Sequence, residues 1–345
     1  MTPTGQRTKK RAKSSKPSAS GSSACQNERV NELPLKPRPR GARKTRPASS
    51  PIGRSIPETH GYFKARDGVE LFYASEGTGE PVIFCYGLVC SSLHWTYQID
   101  HFKNSHQAIW FDYRGHHNSR SPEDYSTITV QQFAQDLESL FEHLKIEKAH
   151  LLGHSMGVSV ALEFAHRNPK KVRSLVLANG TAQRPLETLL YNSNLLPLGF
   201  DFLCQLYKAS PKLFRKVWDL QKGNPIARAV IRLGGFNVHL AAEEDIERYV
   251  SQVEDMDPGI FLQVLKDYHA YDASPWLHTI EAPTLILSGD EDLVTPPSQQ
   301  KLLHQLIRGS ELVDIKHGSH CPQMDQPDLI SEKIEAFIRA VETGN

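Results

Sequence analysis

Several marks of specialised protein classes are missing from this sequence. Among 345 residues only five are cysteine (Cys25, Cys85, Cys90, Cys204 and Cys321), an odd, scattered set without CxxC or short Cys/His spacing. That argues against a disulfide framework and against a zinc site of local spacing, and it fits a reducing compartment. No run of about 18 apolar residues occurs, so no membrane-crossing helix is expected. The first thirty residues also lack the apolar stretch that directs secretion. The cytoplasm is therefore the expected location, and import into an organelle is the alternative that a basic, acid-poor leader leaves open. Net charge is close to absent, at +1.

That near-neutrality hides an asymmetry. Residues 1–55 carry 14 Lys and Arg against two acids, Glu28 and Glu32, about +12, while the remainder is about −11. The basic stretch is rich in Ser and Pro and almost free of aromatics, so it cannot bury enough apolar surface to offset chain entropy. Residues 1–58 are expected to be a basic, disordered tail. A solvated extension or a start codon placed too early explains it. The functional alternative is attraction to an anionic surface, with no nucleic acid obligatory.

From Thr59 onward, strands alternate with helices. Gly61–Ala65 and Val69–Ser75 flank Asp67-Gly68, which suits a hairpin. Pro81–Tyr86 and Ala108–Asp112 are short apolar runs, as expected of strands buried on both faces. Phe133, Leu137, Leu140, Phe141 and Leu144 recur at helical spacing. Strand His150–Leu152, a helix from Ser155 to His166 and strand Val172–Ala178 follow. After Ala282 come strand Thr284–Leu287, helix Ser298–Leu306, strand Glu311–Ile315 and helix Asp328–Val341. Repeated strand–helix units predict a mostly parallel sheet with helices on both faces. Residues 184–276 break the rhythm with helical patterns only, punctuated by prolines, and read as an inserted helical cap or lid. The core then comprises residues 59–183 and 277–345.

Gly153-His154-Ser155-Met156-Gly157 sits where a buried strand gives way to an Ala/Leu/Phe-rich helix. In that setting G-x-S-x-G is a tight turn that projects a serine at the strand's carboxyl end. A serine hydroxyl needs a base to take its proton, and the base needs a carboxylate to hold it. The loop after Glu311–Ile315 offers His317 and His320. The loop after Thr284–Leu287 offers Asp290, Glu291 and Asp292. Each lies at a carboxyl strand end, where open α/β sheets place their sites. An oxyanion hole needs two N–H donors, one from Met156 and one from the loop after Pro81–Tyr86.

From about Gly61 to its end the chain resembles the α/β-hydrolases of the capped serine esterase and lipase-like type. The resemblance implies an eight-stranded, mostly parallel sheet with the helical cap inserted after the sixth strand. In that family the acid follows Gly by three residues and precedes Pro by four, matching Gly289, Asp292 and Pro296. The histidine lies seven residues before Pro with an acid between, matching His320, Asp325 and Pro327. Some members carry the acid one strand earlier, where Asn179-Gly180-Thr181 has no carboxylate. The family's His-Gly-x loop is Tyr86-Gly87-Leu88 here, so Leu88 N–H is the second oxyanion donor, and Tyr86, Gly87 and Trp95 are candidates to touch substrate. For Trp95, packing of the loop is the favoured role. Asp112 and Arg114 match structural residues of the next turn, in which His117 replaces a second Gly.

The implied activity is hydrolysis of a carboxylic ester through an acyl-enzyme on Ser155, His320 and Asp292, with no cofactor and no metal. For the small-molecule substrate, a hydrophobic helical cap favours medium-chain or lipid-like esters over small polar ones. These residues (Leu195, Leu196, Phe200, Phe202, Leu203, Leu206, Tyr207 and Phe214) either pack the cap, the favoured reading, or line an acyl pocket. A lactonase, a C–C hydrolase or a cofactor-free perhydrolase would use the same residues, and a non-catalytic ligand- or partner-binding relative is the rival from another class. Serine rather than aspartate at the turn speaks against epoxide-hydrolase chemistry.

Overall fold

The computed structural model describes residues 59–88, 90–188 and 195–344. The predicted basic tail lies outside the described residues, as do residues 189–194 of the predicted helical cap. Eight strands form one sheet: β1 (Thr59–Lys64), β2 (Glu70–Glu76), β3 (Pro81–Cys85), β4 (Gln107–Phe111), β5 (Ala149–His154), β6 (Val172–Ala178), β7 (Thr284–Gly289) and β8 (Glu311–Ile315). Their order is β1-β2-β4-β3-β5-β6-β7-β8. Only the β1–β2 and β2–β4 pairings are antiparallel. Every other neighbour pair is parallel. β5, in mid-sheet, is buried at all six positions, its two histidines included, because both faces of the sheet are covered there.

Helices α1 (Thr96–Phe102), α2 (Val130–Leu144) and α3 (Met156–Arg167) connect the first strands. α2 begins where Thr129 Oγ1 accepts from Gln132 N at 3.0 Å and ends on Lys145 in the left-handed region, φ 56°. α1 was not legible in the sequence. Its buried face includes Thr96 and Gln98, and Gln98 Nε2 reaches the Gln323 carbonyl at 3.2 Å, so apolar periodicity is lost there.

Between β6 and β7 run α4 (Pro185–Thr188), α5 (Leu195–Ala209), α6 (Pro211–Leu220), α7 (Pro225–Gly235), α8 (Glu243–Asp255) and α9 (Pro258–Ala270). Four of these start on the prolines that punctuate the sequence, because a first-turn proline surrenders an N–H that has no helical partner anyway. The stretch Pro211–Leu220, unassigned in the sequence reading, is one of them. α10 (Pro297–Leu306), α11 (Pro322–Asp325) and α12 (Pro327–Thr343) complete the fold. No helix among the described residues is long and apolar enough to cross a membrane.

Candidate active site

The turn between β5 and α3 dictates the backbone of Ser155, which sits at φ 55° and ψ −124°. That region is strained for any residue with a Cβ, typically by 1–3 kcal/mol, roughly. Its surroundings enforce it. A Cβ on Gly153 would lie 2.6 Å from the Gly157 carbonyl oxygen, and one on Gly157 would lie 2.3 Å from that of Cys85. Both glycines are therefore required by close backbone approach. Ser155 N donates to the Ala178 carbonyl at 3.0 Å, tying the turn to the end of β6.

Three loops converge on the serine. Ser155 Oγ lies 3.0 Å from His320 Nε2, and His320 Nδ1 lies 3.0 Å from Asp292 Oδ2 and 3.2 Å from Oδ1. Because the carboxylate only accepts, Nδ1 carries the proton and Nε2 presents its lone pair to the hydroxyl. Asp292 is fully buried and His320 and Ser155 are 5% and 7% exposed. The carboxylate is anchored by Val294 N at 2.7 Å, Thr295 N at 2.9 Å and Thr295 Oγ1 at 2.8 Å. The two other acids point elsewhere. Asp290 and Glu291 are exposed, and Glu291 holds exposed His317 at 2.9 Å, raising that imidazole's pKa.

Residues with no role in the sequence reading organise this geometry. Asn179, fully buried at the end of β6, donates through Nδ2 to the carbonyls of Ser319 (2.6 Å) and His320 (3.1 Å), and its Oδ1 accepts from Gly289 N (2.8 Å). It thus laces the acid-bearing loop to the histidine-bearing loop. Its only signal in the sequence was its place at a strand end. Asp325, noted there as a family match, braces the histidine loop from below. It accepts from Ser319 N (2.8 Å), Ser319 Oγ (2.6 Å) and Asn237 N (3.0 Å), while burial raises its pKa to about 6.

The loop after β3 lies directly against the serine, since a Cβ on Gly87 would come within 2.9 Å of Ser155 Cβ. No acceptor among the described residues takes Leu88 N–H. The Met156 N–H, first in α3, has no carbonyl one helical turn back within the helix. Tyr86 fills the family's histidine position as a support. It is fully buried, its hydroxyl accepts from Tyr113 N (2.8 Å), its carbonyl accepts from Tyr113 Oη (3.0 Å), and the two rings sit 4.4 Å apart. Trp95 is equally buried, with Nε1 donating to the Cys85 carbonyl at 3.1 Å. Neither Tyr86 nor Trp95 exposes surface to a ligand, so of the three candidate contacts only Gly87 adjoins the Ser155 hydroxyl. The family's second glycine is replaced by His117, which adopts φ 44° and donates from Nε2 to the Cys90 carbonyl at 2.7 Å. Arg114 is buried between Asp136 (2.6 Å) and Asp67 (2.7 Å).

Beneath the turn, His154 Nε2 donates to the His320 carbonyl (2.8 Å), which leaves its Nδ1 to accept from His94 Nδ1 (3.1 Å). Burial keeps both rings neutral. It holds His154 well below the usual imidazole range and brings His94 down to about 3. Ligand atoms of His94, His154 and Cys321 lie within 4.8 Å of one another, the one group among the described residues that could hold a metal ion. Sequence spacing could not reveal it, because the three residues span more than 200 positions. Burial pushes the Cys90 and Cys321 thiols up, so both remain protonated and unreactive.

Of the apolar residues in the helical insert, Phe200, Tyr207 and Phe214 pack with Leu186 and Leu262. Phe202, Leu203 and Leu206 do neither of the things expected of them, because they are exposed. The side chains of Leu195 and Leu196 lie outside the described residues.

A family model described as the alpha/beta hydrolase fold matches residues 80–215 and 244–327. A putative carbamate hydrolase, RutD, of Azorhizobium caulinodans is 24% identical over 290 residues, 83% of this chain and 100% of that protein. Epoxide hydrolase 3 of Xenopus tropicalis is 26% identical over 310 residues, 87% of this chain and 82% of its own. Among solved structures, a thermophilic esterase from Thermogutta terrifontis superposes with a TM-score of 0.66 at 23% identity, covering 82% of this chain and 99% of the esterase. With hydrolases among its relatives and the family match spanning more than half its length, the chain belongs to the α/β-hydrolase fold family.

Proposed function

We propose that the protein is a serine hydrolase that cleaves carboxylic esters through a covalent acyl-enzyme. One observation carries the reading: a serine hydroxyl, held out on a strained turn, faces an imidazole nitrogen at 3.0 Å whose far side is fixed by a buried carboxylate. His320 Nε2 takes the hydroxyl proton as Ser155 Oγ bonds to the carbonyl carbon, and Asp292 offsets the charge that appears on the imidazole. The oxyanion is received by the N–H groups of Leu88 and Met156. Collapse of that intermediate breaks the ester C–O bond, and the alcohol leaves with the proton from His320. Water then enters, gives its proton to His320 and releases the acid and Ser155. This sequence draws on no cofactor or metal.

The epoxide hydrolases among the relatives do not shift the reading, because the residue on the turn is serine. Treatment with a fluorophosphonate probe should label wild-type protein once, at Ser155, and leave Ser155→Ala unlabelled. Hydrolysis of p-nitrophenyl esters of graded acyl length should fall to background in the same variant. Undiminished turnover or labelling without Ser155 refutes the assignment.

A further inference from the structure

Soluble helices normally bury one apolar stripe and expose a polar face. Here three consecutive helices carry a second stripe in the open. On α5, Leu198, Phe202 and Leu206 follow each other at i, i+4 and i+8, and all are exposed. On α6, Leu213, Val217 and Leu220 repeat the pattern at i, i+4 and i+7, with Leu220 80% exposed. α7 does the same with Ile226, Val230 and Leu233. Eleven of the twelve exposed large hydrophobics among the described residues fall between Leu198 and Leu240. The inward faces are already satisfied. Tyr207 of α5 packs on Phe214 of α6 with ring centroids 5.5 Å apart, and Trp218 of α6 packs on Phe261 of α9 at 5.4 Å.

Charge decides what could cover such stripes. Residues 195–240 hold seven Lys and Arg against two acids, in a chain whose remainder beyond the tail is acidic. Four of the seven are occupied: Arg215 by Asp257, Lys222 by Asp219 and Asp255, Arg228 by Glu247 and Glu254, and Arg232 by Glu243 and Glu247. Lys208, Lys212 and Lys216 have no ion pair among the described residues and are exposed beside the stripes of α5 and α6. Apolar side chains at helical spacing, flanked by free lysines on long stems, match the interface of a bilayer bearing anionic headgroups. The sequence supplies a second signal of the same sign in the 14 basic residues of its first 55.

We propose that α5, α6 and α7 form a docking face for anionic phospholipid bilayers, with the apolar stripes inserted at the acyl boundary and the lysines at the headgroups. This does not depend on the ester-hydrolase reading, and its test does not use turnover. Full-length protein is sedimented with vesicles of phosphatidylcholine, with and without phosphatidylserine. Wild-type protein should partition more strongly onto the serine-containing vesicles. Leu213→Asn/Val217→Asn/Leu220→Asn should partition roughly tenfold or more weakly on both, with the basic tail unchanged between the two proteins. Should that variant fail to fold, Ile226→Asn/Val230→Asn/Leu233→Asn makes the same measurement on α7. Partitioning that neither variant alters overturns the proposal, and so does absence of vesicle binding. A wild-type dimer in analytical ultracentrifugation that the substitutions dissolve also overturns it, because the face would then belong to a second copy.

Discussion

Asn179 is the sharpest place to test how the site is held. Its amide donates to two carbonyls of the histidine loop and accepts from the acid-bearing loop. In Asn179→Ala the His320 carbonyl keeps the proton of His154 Nε2, but the Ser319 carbonyl and Gly289 N–H lose this side-chain partner in a fully buried setting. Each of the two orphaned groups costs about 1–3 kcal/mol, so the variant should lose about 2–6 kcal/mol. For a domain of this size that is a fall in Tm of roughly 10 °C. Asn179→Asp is the more telling change, because it places a carboxylate where some relatives carry their catalytic acid. Here it should be harmful: the atom that now donates at 2.6 and 3.1 Å would become an oxygen facing two carbonyl oxygens. The aspartate should lower Tm at neutral pH at least as far as alanine does. Asn179→Asp should also fail to restore fluorophosphonate labelling to Asp292→Asn. Calorimetry and probe labelling of the purified variants check both statements. An aspartate variant as stable as wild type, or one that rescues Asp292→Asn, refutes the account of Asn179 as a loop tie.

Three further outcomes follow from the same geometry. Gly157→Ala should abolish soluble expression or cost several kcal/mol, roughly, since its Cβ would meet backbone 2.3 Å away that cannot rotate aside; a stable variant measured by chemical denaturation would remove the close-approach argument. Tyr86→Phe should cost about 1–3 kcal/mol by stranding Tyr113 N–H, read as a lower urea midpoint with unchanged slope. His94, neutral in the fold down to about pH 3, lets the unfolded chain bind a proton below pH 6.5 that the folded chain refuses. Stability is therefore complete above about 6.5 and drains away as pH falls toward 3. His94→Gln should lose about 2 kcal/mol less than wild type between pH 7 and 5, and identical pH slopes in guanidinium titrations would refute it.

What the sequence determined by itself was whatever neighbouring residues settle among themselves. A two-residue turn and short apolar runs marked the eight strands, and helical spacing of apolar residues marked most helices, because both signals lie within a few residues of chain. The strand-to-helix turn at Ser155 was legible for the same reason, its glycines and flanking elements lying within a few residues. His320 and Asp292 became separable from His317, Asp290 and Glu291 only through the family's spacing, and the structure gives the physical distinction: the former are buried and the latter face water. Tertiary structure alone decided the rest. Asn179 and Thr295 acquire their roles from partners up to 141 residues away. Tyr86 stands in for the family's histidine by reaching Tyr113 in the loop after β4, and His94, His154 and Cys321 come together from the segment between β3 and α1, the end of β5 and the residue before α11. Phe202, Leu203 and Leu206 of α5 read as cap packing in one dimension, since periodicity reports that a face is apolar and only the packed fold reports whether anything covers it.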